Sequence, residues 1–82
     1  MEGTVIHLNH NRGMYSVELS DGSYSVFELL DTMEIDKGNI IVGDLDELGS
    51  CVLQNRTADE SFEAMIQNVG LNLQMAQSRT FL

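Results

Sequence analysis

Apolar positions in the first half of the chain recur at every second residue, the period of a β-strand with one buried face. Met14–Leu19 is the clearest case. Tyr15, Val17 and Leu19 fall on one side, and Met14, Ser16 and Glu18 on the other. The first side is expected to face the core. Thr4–Leu8 precedes it as a strand. Asn9-His10-Asn11-Arg12-Gly13 supplies a turn, because Asn and Gly tolerate positive φ. Ser20-Asp21-Gly22 carries Asp-Gly, a hairpin signal, and leads into Ser23–Leu30 as the third strand. A polar connection, Asp31–Gly38, follows. Asn39–Leu45 then holds the β-branched run Ile40-Ile41-Val42, with Gly43 as a candidate bulge. Asp46-Glu47-Leu48-Gly49 turns the chain into a short strand, Ser50–Gln54.

Residues 57–69 carry two competing patterns. Thr57-Ala58-Asp59-Glu60 fits a capping box, and Phe62, Met65, Ile66 and Val69 have helical spacing. Read as a strand, Phe62, Ala64 and Ile66 alternate with Glu63, Met65 and Gln67. The tail from Asn72 reads either as a short helix capped by Asn72, with Met75, Ala76 and Arg79 following, or as a frayed end. Short strands without a long helix predict an all-β fold. In a chain this short, a small five-stranded antiparallel barrel over residues 1–70 is favoured over a sandwich, since closure removes exposed sheet edges. Residues 71–82 then form the tail or short helix.

Length and composition narrow this further. The 82 residues make one domain, and 43% apolar side chains suffice for one compact core. The single cysteine, Cys51, excludes an internal disulfide. The start, MEGTVIHLNH, lacks the basic and apolar regions of a signal peptide, so the cytoplasm is the expected compartment and Asn55-Arg56-Thr57 is not expected to be glycosylated. No apolar run approaches the roughly 20 residues that span a bilayer, and no membrane association is expected.

Charge changes the picture more. Four basic against 13 acidic residues give a net charge of −9. Within Asp31–Glu47 stand six acids and one Lys. Such a field repels polyanions at long range.

The opening stretch, Gly3-Thr4-Val5, then Asn9, then Arg12-Gly13-Met14-Tyr15-Ser16-Val17, resembles the start of the cold-shock domain, a small barrel of the OB class. Ile35-Asp36-Lys37-Gly38 with Ile40–Val42, and Ile66-Gln67-Asn68-Val69, are similar to later motifs of that family. The resemblance favours the strand reading of residues 57–69, as the strand that closes the sheet. It also implies a face on strands one to three where aromatic rings stack single-stranded bases, each stack contributing about 1–3 kcal/mol. Carried over by position, that face comprises His7, Asn9, Arg12, Met14, Ser16, Val26 and Glu28. The family's stacking rings fall on His7, Met14, Ser16 and Val26, and its neighbouring histidine on Glu28. Only His7 retains a ring. Tyr15 and Phe27 fall on core-facing positions in this register, and Glu18 and Glu28 bring carboxylates to the face.

Catalytic and metal chemistry finds little support. His7 and His10 are three apart, which on a strand sends them to opposite faces. Asp36 and Glu47 are spaced like the ends of an EF-hand loop, but Gly38 and Ile40 stand where oxygen ligands belong. Cys51, between Ser50 and Val52, reads as a buried, inert thiol. The pair Asp44 and Asp46 reads as a solvated rim. No cofactor motif is present. The sequence therefore predicts a binding module that is not an enzyme, contacting a protein partner through an acidic, partly apolar face. The alternative is weak binding of single-stranded RNA or DNA on strands one to three.

Overall fold

A computed structural model describes residues 1–81, and in it the alternation of the sequence becomes an alternation in space. Six strands form: β1 (Glu2–Asn9), β2 (Met14–Leu19), β3 (Tyr24–Leu29), β4 (Ile40–Val42), β5 (Gly49–Asn55) and β6 (Glu60–Leu71), followed by helix α1 (Leu73–Phe81). They close into an antiparallel barrel in the order β1-β2-β3-β6-β5-β4. Two three-stranded meanders are thus joined along β1–β4 and β3–β6. A bulge between Val5 and His7 bends β1. Its first half pairs with β4 while its whole length runs along β2.

The count is six where five strands were predicted. Three strands follow β3, and the five-strand plan has two. The added strand is β6, over the segment that carried both a helical and a strand pattern. Gly43 accounts instead for the shortness of β4. Its φ of 152° and its closeness to Leu53 end β4 at Val42, because a Cβ there would stand 2.5 Å from the Leu53 side chain. The strand predicted over Asn39–Leu45 is therefore three residues long. Beyond it Leu45 folds back under the barrel, fully buried, and its carbonyl accepts the Ser25 hydroxyl at 2.6 Å.

Residues 57–69 resolve as a turn and a strand. Thr57–Asp59 turns the chain, with Asp59 at φ 56°, and β6 runs on from Glu60. The inward set is Phe62, Ala64 and Ile66, the period-two series. Helical periodicity lost because β6 pairs on both sides, with β3 and with β5, so packing across the barrel overrode the local pattern.

Inside the barrel Tyr15 stacks on Phe27 with ring centroids 5.5 Å apart, and Phe27 meets Phe62 at 5.8 Å. Val17, Ile41, Leu53 and Ile66 complete the layer around them. Tyr15, Val17 and Leu19 point inward, as the alternation predicts, and so does Phe27, as the register of the resemblance implies. The tail is a helix with the expected cap: Asn72 Oδ1 accepts the Met75 N–H at 2.8 Å. No helix among the described residues is long and apolar enough to cross a membrane.

Candidate functional site

Helix α1 decides what the outer face of β1–β3 can do. In β2 the residues Met14, Tyr15, Ser16 and Val17 are all buried, and in β3 Tyr24, Ser25, Val26 and Phe27 are too. A strand buried on consecutive positions is covered on both faces. The inner cover is the barrel core. The outer cover is α1, which seats Ala76 among Met14, Tyr24, Val26 and Leu71, with Ile6 at the margin.

The predicted face residues therefore occupy very different surroundings. Met14, Ser16 and Val26 do point outward from the barrel, but they lie beneath α1 at 9%, 0% and 0% exposure. The expectation that they form an open surface is corrected. His7 is half-buried beside them. Its Nδ1 is hydrogen-bonded to Ser16 Oγ at 2.9 Å, and its ring packs edge-on against Phe81 at 6.1 Å. Burial, and after it the positive charge of Lys37, pulls the His7 pKa down. Asn9 Nδ2 donates to the Thr80 carbonyl at 3.1 Å, tying β1 to the end of α1. Glu28 accepts a hydrogen bond from Gln67 Nε2 at 3.1 Å. Glu18 accepts one from the Tyr24 hydroxyl at 3.0 Å, which pushes the tyrosine pKa up. Arg12 stands exposed in the β1–β2 turn, apart from the covered set.

Sequence reasoning missed this cover. The signal was an apolar series on the outward positions, Ile6, Met14 and Val26, matched by two small inward residues of α1, Ala76 and Thr80, four apart. The Thr80 hydroxyl satisfies itself on the Ala76 carbonyl at 2.7 Å, so it enters the interface without an unpaired group.

The acid-rich segment behaves in the opposite way. Asp31, Glu34, Asp36, Asp44, Asp46 and Glu47 are all exposed, while Ile35, Ile41 and Leu45 between them are fully buried. The chain is pinned by its apolar residues and turns its carboxylates outward. Among the described residues the one salt bridge is Arg56–Glu2, at 2.9 Å, so none of these six acids is paired with a cation. One end of the ribbon borders an open cleft of ≈ 380 Å³ against the β1–β2 turn. A second cleft, of ≈ 300 Å³, lies on β5 and β6, where Leu30 and Val52 are exposed.

His7 and His10 are not brought together. His7 sits under α1, whereas His10 bonds the Ile35 carbonyl and packs 6.0 Å from the Tyr15 ring. Among the described residues no three His, Cys, Asp or Glu side chains are close enough to hold a metal ion. Cys51 is half-buried on β5 rather than fully enclosed. Burial and the nearby Asp44 raise its thiol pKa, which disfavours the reactive thiolate.

No protein-family model, curated protein or solved structure matches this chain.

Proposed function

We propose that this chain is a non-catalytic binding module that contacts a basic protein partner through its acidic ribbon, residues 31–47. The observation that carries the reading is the pairing of exposed, unneutralised carboxylates with buried anchors at Ile35, Ile41 and Leu45. Charges held on a fixed backbone present a preorganised surface, and a cationic partner gains affinity from it without ordering the ribbon first. Attraction of this kind weakens as salt rises.

The cold-shock resemblance fits this reading as kinship of scaffold. The retained glycines have architectural reasons. A Cβ on Gly3 would stand 3.0 Å from Leu19 and Val17, and Gly13 turns the chain at φ 66°. Binding of single-stranded nucleic acid, the rival reading, keeps Arg12 exposed but requires α1 to leave its seat on Met14 and Val26.

The test is a pull-down at low ionic strength with the wild type and with a variant carrying Asp44→Asn, Asp46→Asn and Glu47→Gln together with Asp31→Asn and Glu34→Gln. Basic proteins retained by the wild type, released by salt and lost from the variant support the reading. Equal recovery on both, or none on either, refutes it.

A further inference from the structure

The cleft at the end of the acidic ribbon has a floor that the docking reading does not by itself require. Tyr15 is 3% exposed, with its ring packed between Phe27 and His10. Its hydroxyl makes no hydrogen bond among the described residues. No fully enclosed side-chain polar atom among the described residues lacks a partner, so the hydroxyl keeps its access through the cleft that Tyr15 lines. A polar atom on the floor of a half-apolar cleft, open on one side, is a position for a ligand's polar group.

The walls define which group. Asp31 and Glu34 stand at the rim, and Leu29 and Met33 supply apolar sides. Burial, and after it the charges of Asp36 and Glu34, raise the Tyr15 pKa, so the hydroxyl stays neutral and sits in a negative field. The two banks are tied together. His10 Nε2 donates to the Ile35 carbonyl at 3.1 Å, and the Leu29 N–H donates to the Gly13 carbonyl at 2.8 Å. An anion is excluded by the carboxylates. An apolar occupant would close the Tyr15 hydroxyl off from water without a partner.

We propose that this cleft seats an arginine side chain of the basic partner, a step that rests on the acidic ribbon being the docking face. The methylene stem packs on Leu29 and Met33. The guanidinium donates to the Tyr15 hydroxyl and to the carboxylates of Asp31 and Glu34, with the His10 ring beside it. A planar fork of five donors, weakly hydrated, serves three acceptors at once and tolerates aromatic contact. A lysine ammonium is compact and strongly hydrated, and loses more on entering a half-apolar cleft.

The experiment titrates the full chain, labelled with ¹⁵N, with N-acetylated hexa-arginine amide and with hexa-lysine amide at low salt. Saturable amide shifts are expected at Tyr15 and residues 31–34, with hexa-arginine binding about fivefold tighter than hexa-lysine. Tyr15→Phe, which removes an unbonded hydroxyl and leaves the fold in place, weakens hexa-arginine by about tenfold. Asp31→Asn with Glu34→Gln weakens it by about a hundredfold, and the same charge removed at Asp44 and Glu47 changes it by less than about twofold. Saturable binding elsewhere, with the cleft amides unmoved, overturns the arginine seat and leaves the docking face standing. Equal binding of the two peptides, indifferent to Tyr15→Phe, overturns it as well. No shift with either peptide overturns both.

Discussion

The outer face of β1–β3 and the ribbon from Asp31 to Glu47 are both outside the barrel, and they are built on opposite rules. On the first, apolar residues point outward and a segment of the chain itself covers them. On the second, apolar residues point inward and the carboxylates are left bare. The lesson is that a barrel wall need not be an interaction surface because it is a wall. Whatever the chain has already seated there must first be removed, and α1 sits on Met14, Val26 and Leu71 through Ala76. The ribbon needs no such clearance.

Substitutions in this arrangement should rank accordingly. The largest loss is expected at the inner layer: Phe27→Ala empties the centre of the aromatic stack and costs about 3–5 kcal/mol, read as a shift in urea midpoint. At the outer layer, Ala76→Glu forces a carboxylate between Met14 and Val26 and costs about 2–4 kcal/mol. It should also lift α1, detected as new binding of a hydrophobic dye. If Ala76→Glu were neutral, α1 would not be part of the fold's stability and the contrast between the two regions would dissolve. Asn72→Ala removes the cap on Met75 and costs about 1 kcal/mol.

A smaller effect concerns pH. His7 has a lowered pKa in the folded chain, so its neutral form is favoured there and the unfolded chain binds the proton more readily. The stability it contributes is complete above the ordinary histidine value of 6.5 and is lost as pH falls below it. His7→Asn should flatten that part of the pH dependence of the melting temperature. Smallest of all, Asp31→Asn with Glu34→Gln is expected to change stability by less than about 0.5 kcal/mol, because both side chains are exposed, while removing basic-peptide binding.

The inner layer was legible in the sequence and the outer one was not. Tyr15, Val17 and Leu19 announce their side by strict alternation, and the register of the cold-shock resemblance puts Phe27 with them. The strand at Glu60–Leu71 was half-legible, since Phe62, Met65, Ile66 and Val69 satisfy a helix as well as Phe62, Ala64 and Ile66 satisfy a strand. Only pairing with β3 and β5 separates the two. The cover by α1 was hidden for another reason. The helix buries Ala76 and Thr80, small side chains that carry little periodic weight, and leaves Leu73, Met75 and Phe81 largely exposed. Its cap at Asn72 was visible, and its docking was not. The candidate face failed as an open surface for the same cause, since nothing local in Met14, Ser16 or Val26 says that a segment some sixty residues later returns to them.

The most direct test of the central contrast is an amide-shift titration of the intact chain with oligo-dT at low salt. With α1 seated, His7, Met14, Ser16 and Val26 should remain unmoved at every concentration. Saturable shifts at those four residues, abolished by Arg12→Ala, would mean that the helix yields to nucleic acid and that the wall of β1–β3 is the working surface after all.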